Sequence, residues 1–274
     1  MTALQVLRHP AVATGGAVLT LLVAAAVLAP WLGTVDPQAI SPLARLKPPS
    51  STAWFGSDMV GRDLYSRTLY GARLSLVVGL SVALLATLIG LAIGVLAGFI
   101  RGFDAVAMRV MDGMMAIPSI LLAVAMIALT GASLQNVIIA ITVSEVPRVA
   151  RLVRGVVLQL KASPFVEAAL VVGTRFPALL WRHILPNAAA PLLVQASYMF
   201  ASAILVEAAL SFIGAGSPPS LPSWGNLIAE GRTVFQIAPH IVFFPGLALA
   251  VTVLAVNLLG DGLRDVLDPR FQRR

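Results

Sequence analysis

The sequence contains no cysteine, which excludes a disulfide framework, a thiolate metal centre and a cysteine nucleophile. It has only two lysines, Lys47 and Lys161, preceded by Leu46 and Leu160 rather than glycine. A phosphate-cradling loop ending in Gly-Lys is therefore absent, and the chain cannot hydrolyse ATP by that device. The three histidines, His9, His183 and His240, lie far apart and offer no metal-ligand spacing. Charge is scarce: 11% of residues are Asp, Glu, Lys or Arg, where a soluble domain carries about 25%. What fills the chain instead is 58% hydrophobic residues. Water is not its main solvent, and an all-α integral membrane protein is the expected class. The net charge of +7 is spread between apolar runs, as the positive-inside rule produces, rather than gathered for nucleic acid.

At about 20 residues per crossing, the 274 residues hold about six spans. The first runs from Val12 to Leu32 after Arg8 and His9, too long for the apolar segment of a signal peptide and so expected to be retained. From Gly33 to Tyr70 the chain is polar and punctuated by Pro37, Pro42, Pro48 and Pro49, which cannot hold a continuous helix. Ser75–Ile100 is a second span, in which Gly90, Gly94 and Gly98 recur on one face and let a neighbouring helix approach closely. A charged turn with Arg101, Asp104, Arg109 and Asp112 leads to spans at Met114–Thr130 and Leu134–Val157. Further spans are expected at Ala188–Ile213 and Ile241–Leu259, with a charged tail from Gly260 to Arg274. The chain divides at 70/71 into a first span with its outer loop and a membrane domain over 71–274.

Six crossings with the N-terminus inside leave Arg45, Lys47, Arg62, Arg67, Arg73 and Arg232 outside and the other 13 of the 19 Lys and Arg residues inside. That bias predicts both termini and the 163–187 loop on the cytoplasmic side. Glu145 and Glu207 are the acidic residues within spans, and an ionisable group there is a functional candidate, pore or structural. Glu145 stands beside Pro147 and Arg148, so pairing at a helix kink is the simpler role. A proton-coupled carrier built on the two carboxylates is the rival reading, but such carriers usually show internal repeats, and none is found. Gly61-Arg62-Asp63 with Ser66 and Arg67 has no catalytic partner at useful spacing and reads as solvated or paired charge. Trp31, Trp54, Trp181 and Trp224 lie near span ends or in loops, and those at span ends suit interfacial anchoring.

The longest polar interruption of the second half reads SPFVEAALVVGTRFPALLWRHILPN, Ser163 to Asn187. Its chemistry predicts a helix, a glycine turn and a second helix. Ser163 can cap the first, Pro164 suits its first turn, Gly173 can end it in the left-handed conformation, and Pro186 closes the second. Phe165, Ala168, Ala169 and Val172 share one face of the first helix, while Val166, Leu170 and Val171 keep the other side apolar. A helix apolar on two sides needs two partners, either this chain's own spans with a second protein, or this chain alone in a re-entrant packing loop.

Glu167-Ala168-Ala169, three residues, Gly173, nine residues, His183, one residue and Leu185-Pro186 resemble the EAA motif of the membrane subunits of binding-protein-dependent ABC importers. His183 stands where the general motif has Ile. Four further blocks are similar to the second membrane subunit of dipeptide, oligopeptide and nickel permeases: Phe55–Leu76, Glu207–Gly216, Pro222–Ile228 and Asn257–Arg270. The resemblance implies a type I importer permease fold and a non-catalytic subunit that shares a translocation path with a second permease. It also implies two cytoplasmic ABC ATPases that bind the ATP and magnesium, so that this chain holds no cofactor. An extracytoplasmic binding protein would deliver short peptides, or nickel or another small solute, near Gly214 to His240. The ATPase-coupling contact would be made by Glu167, Ala168, Ala169, Gly173, His183, Leu185 and Pro186.

Overall fold

The computed structural model describes residues 9–267; Arg8 and the basic tail residues Arg270, Arg273 and Arg274 lie outside them. The described chain is built from helices, with one isolated bridge between Ser57 and Asp63. Helix α1 spans Pro10–Val27 and is followed by single turns at Ala29–Trp31 and Pro42–Ala44. Helix α2, Leu64–Phe99, starts well before the expected Ser75 and passes unbroken through the 70/71 boundary. Asp63 sets that start: its carboxylate accepts the Ser66 N–H at 2.7 Å, filling one of the donors a helix leaves open at its first turn.

The charged turn expected after Ile100 is a helix, α3, Arg101–Met115. It is amphipathic: Met108, Met111 and Met114 pack into the core, whereas Phe103, Val106 and Val110 are exposed. The chain then breaks before Pro118 and resumes as α4, Ser119–Thr130, bent by 92° from α3. Pro118, lacking an N–H and crowding the preceding turn, explains why the helix cannot run through. The third span is thus α4 alone, about 18 Å of helix, unless α3 and α4 are counted together as a broken span. Helix α5, Leu134–Lys161, is capped by the Ser133 hydroxyl on the Asn136 N–H.

After the loop helix α6, Pro164–Val171, the chain runs through α7, Phe176–Leu179, a π turn at Leu180–Ile184, and α8, Leu185–Phe212. Helices α9, Trp224–Gly231, and α10, His240–Leu267, complete the described fold. Four helical stretches are long and apolar enough to cross a membrane: α1, α2, the run Phe176–Phe212, and α10; the bent pair makes a fifth. The expected count of six is reached only by adding α5. Its 28 residues span about 42 Å, but Glu145, Arg148 and Arg151 interrupt its apolar run.

The α2–α5 seam is the most extensive contact in the bundle. A Cβ on Gly90, Gly94 or Gly98 would come within 2.5–2.6 Å of Val149, Ala150, Val153 or Val157, so the three glycines close this seam as expected. Between spans such close van der Waals packing replaces the hydrophobic drive that lipid does not supply. Gly15 meets the Ala255 carbonyl and Gly262 meets Val12, which makes α1 and α10 antiparallel neighbours. At one end of the bundle Lys161 donates to the Gly98 carbonyl at 3.0 Å, and Phe99 meets Phe176 edge-on. The 163–187 loop is rooted there.

Candidate functional site

Helix α6 is exposed along most of its length. Val166 is fully buried and Ala169 packs beside it against the core, but Val171 and Val172 are 87% and 85% exposed. Phe165, Glu167, Ala168 and Leu170 are also exposed. The inward face therefore belongs to Val166 and Ala169, and the expected grouping of Phe165, Ala168 and Val172 with Ala169 does not hold. Pro164 occupies the first turn as expected. Ser163 does not cap it: its hydroxyl donates backward to the Leu160 carbonyl, while its carbonyl receives the Val166 and Glu167 N–H groups at 3.0 and 3.1 Å. The C-terminus closes as the sequence predicts. Gly173 has φ +82°, its N–H donates to Leu170, and the Thr174 N–H donates to Ala169, the paired pattern of a left-handed glycine cap.

The second helix does not end at Pro186. Pro186 lies in the first turn of α8, and the Leu185 N–H reaches back five residues to Leu180. One extra residue per turn moves the proline ring away from the carbonyl it would otherwise strike. The motif thus runs from the exposed α6 through the Gly173 turn into the continuous helical stretch Phe176–Phe212. His183 is half-buried and its ring centre lies 6.0 Å from that of Phe165, so the two arms of the loop touch across the turn. Leu185 and Pro186 sit at the hinge, and Glu167, Ala168 and Gly173 on the outer arm.

The two span carboxylates have separate hydrogen-bond partners, none of them in this loop. Glu145 is 1% exposed and receives Arg148 Nη1 at 3.2 and 3.1 Å on its two oxygens, the pairing beside Pro147 that the sequence suggests. Glu207 is fully buried. Its Oε1 accepts the hydroxyls of Ser211 and Ser223 at 2.9 Å and of Ser217 at 3.3 Å, tying the end of α8 to the 214–223 loop and α9.

A second polar assembly is more strongly built than the sequence suggests. Arg67, 1% exposed, reaches Asp58 and Glu230 at 2.6 Å each, and Arg62 reaches the same two carboxylates at 2.6 and 2.8 Å. Burial pushes the Asp58 carboxyl up. The N–H groups of Arg62 and Val60, the Arg62 guanidinium and the Arg67 charge outweigh it and hold that carboxyl below its usual range. Trp224 is also buried at 1%, with its indole N–H on the Thr68 carbonyl at 3.0 Å, and is a core residue rather than an interfacial anchor. Trp31, Trp54 and Trp181 are exposed.

Residues 86–273 match the family model of the binding-protein-dependent transport system inner membrane component, and residues 3–49 match that of the N-terminal TM domain of oligopeptide transport permease C. A probable peptide ABC transporter permease protein from Sinorhizobium fredii is 56% identical over 97% of this chain and 91% of the relative. The dipeptide transport system permease protein of Alkalihalophilus pseudofirmus is 41% identical over 98% and 88%. The glutathione transport system permease protein of Pectobacterium atrosepticum is 43% identical over 97% and 88%. Among solved structures, a chain of the methionine ABC transporter MetNI in inward-facing conformations superposes with a TM-score of 0.62 at 21% identity, covering 74% of this chain and 96% of that one. At that identity the likeness establishes the fold, the type I importer permease architecture. The chain belongs to the family of binding-protein-dependent transport system inner membrane components, multi-pass membrane subunits of ABC importers.

Proposed function

We propose that this chain imports short peptides as one of two permease subunits, driven by two ABC ATPases docked on the 163–187 loop. The observation that carries the reading is α6: a capped helix with one buried residue, Val166, and a protruding apolar end at Val171 and Val172. An exposed apolar end beside a rigid glycine cap fits a groove in another protein better than it fits water. The continuous run from Phe176 into α8 would pass motion of that contact to the spans. In this reading ATP and magnesium reside on the ATPases, this chain holds no cofactor, and both termini face the cytoplasm with the loop. Residues 1–70 add a first span to the permease domain. A binding protein would deliver cargo at the opposite end, near Gly214 to His240.

Peptide cargo rests on the relatives, which are named for peptides, dipeptides and glutathione. Nickel or another small solute is the alternative cargo. A carrier driven by protons through Glu145 and Glu207 has less support, since the two carboxylates share no partner among the described residues.

The test is ATP hydrolysis by the complex in liposomes, with the candidate ATPases and sister permease, with and without peptide-loaded binding protein. Loaded binding protein should stimulate the wild type, and Gly173→Asp should abolish stimulation or lose the ATPases. Uptake that follows the proton gradient with no ATPase bound would refute the proposal.

A further inference from the structure

The middle of α5 leaves one stripe uncovered by the rest of the chain. Ser144, Arg148, Arg151 and Gly155 are partly or fully exposed while Val146, Val149, Ala150 and Val153 around them are buried. At about 100° per residue the four fall within about 60° of one another. None is a large apolar residue, and space beyond Gly155 is open. Helix α2 supplies the contrast within the same molecule: its most exposed apolar side chains are Val77, Leu80, Leu84 and Leu88, at 49–62%. Those suit hydrocarbon. The α5 stripe does not, because ionisable groups within spans face a bundle interior or a water-filled cavity.

Arg148 is the distinctive member. Its side chain is 50% exposed, and a single nitrogen, Nη1, serves both Glu145 oxygens. A guanidinium has five N–H donors in a planar fork, so the Nε–Nη2 edge is left over on a half-exposed side chain. No protein partner for that edge occurs among the described residues. Arg151 and Arg154 differ, since they reach across to Asp112 and Asp104 on α3. Glu145, buried and weakly touched by the Ser202 hydroxyl at 3.4 Å, holds the guanidinium by Nη1 and leaves its Nε–Nη2 edge to be presented.

We infer that the Ser144–Gly155 stripe lines the water-filled translocation path, and that the Nε–Nη2 edge of Arg148, positioned by Glu145, receives a carboxylate of the passing cargo. The inference rests on the transport reading above. A planar fork fits a carboxylate through two parallel N–H···O bonds, and a short peptide carries one at its C-terminus. The contact is transient: Glu145 keeps part of the guanidinium charge satisfied, so the cargo is oriented without being trapped.

Two measurements on the complete transporter in vesicles test this. The chain has no cysteine, so a thiol label on it reports only an introduced residue. Ser144→Cys, which leaves the Glu145–Arg148 pair in place, should react with a charged methanethiosulfonate at least about tenfold faster than Leu88→Cys on the lipid-type stripe. Equal rates would place the stripe against lipid or the sister permease and overturn the inference. For Arg148, uptake of a peptide with a free carboxylate should fall about tenfold in Arg148→Gln, the loss of one charge-assisted contact. It should stay low in Glu145→Gln/Arg148→Gln, and Arg148→Lys should recover part of it. Full recovery in the double variant would make the pair merely structural and refute the cargo contact. Stimulated ATP hydrolysis in the wild type tests the transporter reading separately, and the labelling contrast needs no turnover.

Discussion

Arg67 Nη1 lies 2.6 Å from Asp58 and 2.6 Å from Glu230, and both Arg67 and Asp58 are 1% exposed. One guanidinium thereby clamps the 33–63 segment to the start of α2 and to α9. Removing one partner of a buried ion pair leaves the other charge uncompensated and costs about 3–5 kcal/mol. Arg67→Met should lower the thermal unfolding midpoint in detergent clearly, whereas Arg45→Met, on an exposed residue without an ion-pair partner among the described residues, should not. Equal midpoints for the two variants would show that the clamp contributes nothing.

The same clamp makes a pH prediction. The Asp58 carboxyl is held below its usual value, so folding favours its ionised form. The stabilisation is present in full above the unfolded value of about 3.9 and is lost as pH falls through the lower folded value. Unfolding midpoints should therefore respond little to Asp58 between about pH 8 and 5. Below about pH 4 the wild type should lose stability more steeply than Asp58→Asn, which has no carboxylate to protonate.

Much of this could be read from the sequence, and the exceptions share a cause. The glycine seam of α2 and the Gly173 cap were legible because each follows from local geometry. The early start of α2 was not, because Tyr65, Arg67 and Arg73 look like solvated loop. The charges that satisfy Arg67 come from Asp58 and from Glu230, 163 residues away. Likewise Asp104 and Asp112 resemble a polar turn until Arg154 and Arg151 of α5 are placed opposite them. Trp224, in a loop by the sequence pattern, is buried for the same reason, since its neighbours Thr68 and Ser75 lie on α2. Pro186 misled differently: a proline ends an ideal α-helix, but a π turn removes the clash. The Ser163–Asn187 motif itself was legible as a motif, while which of its apolar residues faces inward depended on the core beneath.

The seam allows a contrast between glycines. In Gly94→Ala the added methyl would stand 2.6 Å from the Ala150 carbonyl and from Val153 Cβ, and overpacking of that kind costs about 1–3 kcal/mol. Gly102, in the first turn of α3, has nothing within 4 Å of an added methyl, and Gly102→Ala should stabilise modestly, by less than about 1 kcal/mol, through helix propensity. Unfolding midpoints moving in opposite directions would support the packing account; a common direction would contradict it.

At Gly173 the constraint is conformational, since no atom lies within 4 Å of an added methyl but φ is +82°. Asn tolerates the left-handed region and Val does not, with a difference of about 1–2 kcal/mol. Because α6 is exposed, the cost should appear as local loosening rather than global unfolding. Binding-protein-stimulated ATP hydrolysis should survive largely in Gly173→Asn and fall sharply in Gly173→Val. Equal activity of the two would mean that the cap does not hold the contact surface.

Pro186 makes the last prediction. The π turn at Leu180–Ile184 accommodates one residue more than an α-helix would, and without the proline nothing local requires it. In Pro186→Ala the five-residue hydrogen bond from Leu185 to Leu180 should revert to the four-residue pattern. That rotates α7 against α8 by about 100° and carries His183 away from Phe165, whose rings now lie 6.0 Å apart. In the cysteine-free chain, Phe165→Cys/His183→Cys should be joined by a short bifunctional thiol reagent. Adding Pro186→Ala should prevent the joining and, if α6 is where the ATPases dock, weaken stimulated hydrolysis in parallel. Undiminished cross-linking would mean that the π turn is set by the packing of Leu179 and Ile184 in the core rather than by the proline.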